Sequence, residues 1–124
     1  MDDQEICALV GEDGFTRLVA AFYRRIPGDP ILGPMYPAED LAGAEERLRD
    51  FLVFRFGGST RYLESRGHPR LRMRHAPFPI DAAARNRWME LMTAALSEAE
   101  FPPEAARTMW DFFDGVATFM INRA

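Results

Sequence analysis

The ten residues from Arg66 to His75, RGHPRLRMRH, combine four arginines with both histidines of the chain. His75 is followed by Ala76-Pro77, and a histidine that ends a short basic helix can offer a ring nitrogen to a metal or a cofactor. The neighbouring arginines can bind an anion, either a carboxylate of a cofactor or a phosphate of a nucleic acid. The segment therefore predicts a binding site, and the identity of its occupant decides the function.

Length and composition narrow the class of protein. A chain of 124 residues is predicted to form one domain over residues 1–124, and a hydrophobic content of 48% excludes a disordered chain. The formal charge of −4 gives no general basic field, which argues against nucleic acid as a partner. The start MDDQEI is not a signal peptide, no apolar run is long enough to span a membrane, and the lone Cys7 forbids an internal disulfide. We expect a cytoplasmic protein.

Helical periodicity recurs along the chain, whereas strand signals are nearly absent. The first predicted helix repeats apolar residues on one face, at Phe15, Leu18, Val19, Phe22, Tyr23 and Ile26. Asp29-Pro30 is a good N-cap and first-turn pair for a short second helix. A longer helix is predicted from about residue 39 to residue 56, because Gly57-Gly58 permits the positive φ at which helices often end.

The second half of the chain predicts three more helices. The basic segment should form a short helix from about Pro69 to His75, with the proline in its first turn. Asp81 can cap the next helix, and Phe101-Pro102-Pro103-Glu104 opens the last one. The predicted fold class is therefore all-α, with about five main helices and some short pieces.

Several motifs, in order and at matching spacing, resemble the truncated haemoglobins of the second group, the short two-on-two globins of bacteria and plants. They are Phe22-Tyr23, Tyr36-Pro37, LAGAEERL (41–48), Phe56-Gly57-Gly58, RGHPRLRMRHAPF (66–78) and Trp88. The resemblance covers roughly residues 11–122, and segment 66–78 is its most specific part. It implies a truncated globin domain, a two-on-two helical sandwich around haem b. The glycines at Gly11 and Gly14 are split where the family commonly has a pair, so the first connection is expected to differ.

His75 lies at the position that the family uses as the proximal ligand of the haem iron. A neutral imidazole suits that role, and its other ring nitrogen should donate to a backbone carbonyl. A zinc pair formed with His68 is the alternative. A zinc site needs three or four protein ligands, however, and the chain has only two His and one Cys. We interpret His68 as a structural residue close to the cofactor.

The resemblance places Tyr23, Tyr36 and Trp88 over the distal face of the haem. Each side chain can pack a ring in the core and present one hydrogen-bond donor. The alternative is that all three are ordinary core aromatics, and Trp88 in particular fits an inward helical stripe. As donors they would stabilise the negative charge on bound O2 and slow its release, which suits oxygen activation better than oxygen delivery.

The resemblance also implies the remaining contacts of the cofactor. Ala44 takes the place where many globins have a distal histidine, so the polar contacts must come from the tyrosines and the tryptophan. Arg47 and Arg74 are the candidates to pair with the haem propionates. At least half of a set of six arginines are expected to face water, namely those at 47, 49, 66, 70, 72 and 74. Further predicted contacts are Leu48, Phe51, Tyr62 and Leu71.

The implied function is binding of O2, NO and CO at a five-coordinate iron, followed by redox chemistry such as NO dioxygenation or a peroxidase-like reaction. Turnover would need an external reductase, because the sequence has no flavin- or dinucleotide-binding segment. A homodimer is a further expectation. Two alternatives stay open: a non-catalytic oxygen store or ligand sensor, and a helical protein without haem in which residues 66–75 bind an anion.

Overall fold

Every regular element of the protein is helical in a computed structural model, which describes residues 1–57, 62, 64, 67 and 69–123. Two short 3-10 turns, Gly33–Met35 and Ala38–Asp40, precede the second helix. No helix in these ranges is long and apolar enough to cross a membrane. The all-α prediction is confirmed. The α-helices of the described residues are α1 (Asp3–Arg24), α2 (Leu41–Arg55), α3 (Leu71–His75), α4 (Ala82–Ala99) and α5 (Pro103–Phe119).

The four long helices form two pairs. Helix α1 packs against α2, α4 packs against α5, and the pairs meet mainly where α1 crosses α4. The interface buries large aromatic and aliphatic side chains completely, each of which stabilises the fold by about 1.5–3 kcal/mol relative to exposure. The largest of them are Phe15, Phe22, Phe56, Ile6, Leu18, Ile26, Leu52, Met92 and Met109.

Helix α1 is kinked at Gly11. Its backbone there has φ 70° and ψ 166°, a conformation that only glycine adopts without strain. Of the two split glycines, Gly11 alone makes the first connection, as a kink inside α1. This kink sets the direction of the half of α1 that carries Phe22 and Tyr23.

The predicted short second helix and the predicted place of Pro69 in the first turn of a helix are wrong. The Asp29 side chain accepts hydrogen bonds from the backbone N–H groups of Ile31 (3.1 Å) and Leu32 (2.8 Å), as a cap would. The chain nevertheless makes only a turn and a 3-10 segment, because Pro34 lacks a backbone donor and Pro37 forces Tyr36 into an extended conformation. Helix α3 begins at Leu71 and excludes Pro69, because Arg70 is left-handed (φ 43°, ψ 50°) and cannot lie inside a right-handed helix.

The other predicted ends agree with the structure to within two residues. Helix α2 begins at Leu41, after the 3-10 turn, and Gly57 follows it with φ 87°. Gly58 lies outside the described residues. The Asp81 carboxylate caps α4 by accepting from the backbone N–H of Ala84 (2.8 Å). Helix α4 ends at Ala99, and its C-cap Glu100 is left-handed (φ 55°, ψ 43°).

Candidate cofactor-binding site

A cavity of about 340 Å³ lies among the helices. This volume falls in the range of roughly 300–1,000 Å³ that is usual for small-molecule and cofactor sites. Every residue predicted for the site lines it, except His68, which lies outside the described residues. The lining residues predicted from the sequence are Tyr23, Tyr36, Ala44, Arg47, Leu48, Phe51, Tyr62, Leu71, Arg74, His75 and Trp88.

His75 is held in a defined orientation on the wall that α3 provides. Its Nδ1 lies 2.7 Å from the backbone carbonyl oxygen of Leu71, one turn earlier in α3. A carbonyl oxygen can only accept, so Nδ1 carries the proton and donates. Nε2 is then the basic nitrogen of the ring, and it is the atom that can bind a metal.

The C-terminal residues anchor α3 and the segment after it. Arg72 donates from Nε to the carbonyl oxygen of Phe119 (3.2 Å) and from Nη2 to that of Ile121 (3.3 Å). Asn122 donates from Nδ2 to the carbonyl oxygens of His75 (3.3 Å) and Phe78 (3.0 Å). The position of His75 thus depends on residues about 45 positions later, a tie that no local sequence pattern indicates.

Three aromatic side chains from different elements meet on another wall. The Tyr23 ring from α1 packs edge-on against Tyr36, with centroids 5.6 Å apart and planes at 87°. Trp88 from α4 lies 5.1 Å from the Phe22 ring and 5.6 Å from the Phe113 ring. Trp88 therefore packs as a core aromatic and also lines the cavity, so its two sequence interpretations are compatible.

Both tyrosine hydroxyls are protonated at neutral pH. Burial raises the pKa of Tyr23 far above its usual value, and the nearby Tyr36 raises it further. Burial also raises the pKa of Tyr36, while a hydrogen bond from the Trp88 indole acts in the opposite direction. The cavity therefore holds neutral O–H and N–H donors.

The remaining walls are apolar. Ala44, Leu48 and Phe51 contribute from α2, and Phe51 packs on the Tyr62 ring at 5.6 Å. Some of the lining residues were not assigned to the site from the sequence. Several of them lie on the apolar face of α5, which the 3.6-residue repeat does identify as inward. These additional apolar residues are Leu32, Met35, Pro37, Phe78, Ile80, Ala84, Phe112, Phe113, Val116, Ala117 and Met120.

Charged residues contribute to the lining through ion pairs. Arg47 Nη2 lies 2.6 Å from Asp40 Oδ2, and Arg47 Nη1 donates to the other carboxylate oxygen of Asp40 at 3.3 Å. Arg85, also missed in the sequence, pairs with Asp114 and donates from Nε to Thr118 Oγ1 (3.2 Å). Arg74 lines the cavity from α3 and is exposed. An acidic cofactor edge would meet these arginines, and Arg47 and Arg85 each pair with a carboxylate of the protein.

These features fit a largely apolar cofactor that brings its own metal and acidic edge groups. The walls are mostly apolar, a single imidazole offers Nε2, and arginines contribute to the lining. Among the described residues, no three His, Cys, Asp or Glu side chains lie close enough together to hold a metal ion. Haem matches this donor set, because its four ring nitrogens need only one further ligand from the protein.

Comparison with known proteins places these features in a family. The sequence model of the bacterial-like globins matches residues 7–122. The group 2 truncated hemoglobin YjbI of Bacillus subtilis is 32% identical over 92% of this chain and 86% of its own length.

Solved structures agree with this placement. The hemoglobin of the thermophilic bacterium Chloroflexus aurantiacus is 48% identical, with a TM-score of 0.91 over 95% of this chain and 98% of that one. A structure described as a truncated oxygen-avid haemoglobin from Bacillus subtilis is 32% identical, with a TM-score of 0.89 over 94% of this chain and 98% of that one. The two-on-two arrangement predicted from the sequence is confirmed as the fold.

Proposed function

The chain belongs to the bacterial-like globin family, as a group II truncated haemoglobin, and from this membership we propose that it binds O2, NO and CO at a haem b held by His75 and carries out redox chemistry on oxygen and nitric oxide. One observation carries the proposal: a fixed imidazole and three aromatic donors line the same cavity. When bound, haem supplies an iron at which diatomic molecules bind and exchange electrons.

His75 would hold the iron through Nε2. The hydrogen bond from Nδ1 to the Leu71 carbonyl fixes the tautomer and the ring plane, so the ligating nitrogen needs no rearrangement when haem enters. Arg47, Arg74 and Arg85 are the lining cations available to the propionates. Arg47 would either exchange Asp40 for a propionate or share its guanidinium between the two.

Tyr23, Tyr36 and Trp88 would hold the diatomic ligand. A ligand that gains negative charge on binding is stabilised by neutral donors in an apolar cavity, by about 1.5–3 kcal/mol for each hydrogen bond. Because the pKa of each tyrosine is raised, both hydroxyls keep their protons throughout the neutral range. Ala44 has no donor, so these three residues determine how slowly the ligand leaves.

Slow ligand release favours chemistry over delivery. We propose NO dioxygenation, in which NO, O2 and one electron give nitrate and no atom is left over. The electron would come from an external reductase. A peroxidase-like reaction would use the same donors to polarise an O–O bond. The oxygen-avid description of the Bacillus subtilis relative supports slow release over fast carriage.

The test combines haem titration with nitrate measurement. Haem added to the purified protein should give a stoichiometric Soret band, and the reduced protein with O2 should convert one equivalent of NO to nitrate on rapid mixing. O2 release on the timescale of a carrier, together with no nitrate, would favour the storage or sensing alternative. Absence of a Soret band would exclude both globin functions.

A further inference from the structure

We propose that the ion pair between Asp29 and Arg87 is a positioning device, which sets the separation of Tyr36 and Trp88 and thereby the rate of ligand release. This inference rests on the proposed function. Neither residue lines the cavity, and the pair joins two segments of the chain that are 58 positions apart.

Asp29 is a buried carboxylate whose two oxygens both have partners. Its side chain is 1% exposed, and Arg87 Nε donates to Oδ1 at 2.5 Å. The backbone N–H groups of Leu32 and Ile31 donate to Oδ2 at 2.8 and 3.1 Å. A buried carboxylate with three donors is a rigid anchor, because its charge-assisted bonds are short and loss of one leaves a desolvated oxygen.

A continuous set of hydrogen bonds connects this anchor with Tyr36. Leu32 is held by Asp29, and the carbonyl oxygen of Leu32 accepts from Met35 N–H at 2.9 Å. Gly33 N–H donates to the Asp29 carbonyl at 2.9 Å, and the Gly33 carbonyl accepts from Tyr36 N–H at 3.2 Å. The turn is tight, because a Cβ on Gly33 would lie 3.2 Å from the carbonyl oxygens of both Ile26 and Pro27. Movement of Asp29 therefore moves Tyr36.

The other end of the pair is the residue directly before Trp88. Consecutive residues of a helix point about 100° apart, so α4 directs Trp88 to the cavity and Arg87 to the turn. Arg87 Nη1 also donates to Glu90 Oε2 at 2.7 Å, a contact on the exposed side of α4. The ion pair thus connects the turn that ends in Tyr36 to the helix position adjacent to Trp88.

The charges that this connection needs are present at neutral pH. The backbone hydrogen bond from Leu32, together with the contact to Arg87, holds the pKa of Asp29 below its usual value. Tyr36 and Trp88 line the same cavity, and a hydrogen bond from the Trp88 indole acts on the pKa of Tyr36, so this contact joins two segments that are otherwise separate in sequence. A restraint one residue away from Trp88 and seven away from Tyr36 is well placed to maintain that contact.

The experiment compares Arg87→Gln and Asp29→Asn with the wild type, all loaded with haem. Three quantities are measured: the O2 dissociation rate, the C–O stretching frequency of the ferrous CO complex, and amide hydrogen exchange of residues 29–36 in the haem-free protein. Each variant should release O2 about tenfold faster, which equals about 1.4 kcal/mol. Each should also raise the C–O frequency and speed exchange in the turn. Arg87→Lys, which keeps the charge, should recover at least half of the change in log rate.

Two controls separate positioning from general loosening. Glu90→Gln removes the exposed partner of Arg87 and keeps the buried one, so it should release O2 at the wild-type rate. Ile6→Val shortens a fully buried side chain that does not line the cavity, and it provides a variant of lowered Tm with an unchanged site. Equal acceleration in Ile6→Val would refute positioning, as would unchanged rates and exchange in both Arg87→Gln and Asp29→Asn. Failure of the wild type to take up haem would instead overturn the proposed function, and with it this inference.

Discussion

The Trp88→Phe substitution tests whether the indole nitrogen controls ligand release. Phenylalanine retains a ring between Phe22 and Phe113, whose centroids lie 5.1 and 5.6 Å from that of Trp88, but it removes the N–H donor. In the wild type a hydrogen bond from this N–H to the Tyr36 hydroxyl lowers the pKa of Tyr36, against the effect of burial. The substitution therefore removes one donor and leaves Tyr36 without its neighbour.

The size of the effect follows from the charge of the ligand. A hydrogen bond to a charged acceptor contributes about 1.5–3 kcal/mol in a buried site. Since about 1.4 kcal/mol corresponds to a factor of ten, O2 should leave Trp88→Phe about 10- to 150-fold faster. The association rate should change much less, because the donor acts after the ligand has bound.

The assay is stopped-flow displacement of O2 by CO from the ferrous protein. Trp110→Phe is the matched control, because it makes the same chemical change at an indole that donates to Thr93 Oγ1 (2.9 Å) outside the cavity. That variant should lose some stability and keep the wild-type dissociation rate. Equal rates in Trp88→Phe and the wild type, with normal haem content, would show that Trp88 only packs.

Three further substitutions test other parts of the structure. His75→Ala should abolish stable haem binding in a titration followed at the Soret band. Met73→Ala, at an exposed position of the same helix, should bind haem normally. Equal haem affinities of the two variants would contradict ligation by His75. Asp29→Asn should lower the free energy of unfolding at pH 7, because the Asp29 carboxylate has a lowered pKa in the folded protein. The stability that this gives is present above the unfolded carboxyl pKa of about 3.9, and it is lost as the pH falls through the folded value. The deficit in urea unfolding should therefore shrink below about pH 4, and a deficit independent of pH would refute this linkage. Glu100→Gly should raise the free energy of unfolding by about 0.5–1 kcal/mol, because the left-handed backbone at this C-cap strains any residue with a Cβ. An unchanged midpoint of urea unfolding would argue against such strain.

Local patterns predicted the helices well, because each depends on residues close together in sequence. The apolar repeat of α1, the Asp81 cap and the Gly57 end are all of this kind. The boundary at Asp29 was wrong for a physical reason: its carboxylate does cap backbone N–H groups, but the prolines that follow prevent a helix.

The site was predicted through resemblance, and what resemblance missed is long-range. The contacts of Asp29 with Arg87, of Arg85 with Asp114, and of Asn122 with the segment after His75 span between 29 and 58 positions. Ion pairs and side-chain-to-carbonyl bonds of this kind produce no periodicity and need no motif. Only the folded chain brings their partners together.

The five-residue helix that carries His75 has a consequence for the order of folding. A helix this short has no stability of its own, and its hydrogen-bond partners at Phe119, Ile121 and Asn122 come near the end of the chain. At synthesis rates of about 5–20 residues per second, His75 leaves the ribosome several seconds before the residues that orient it. Helices α1 and α2 can pair during this time. The wall that carries His75 is therefore completed only after α1 and α2 can pair, and haem uptake through His75 would follow that stage of folding.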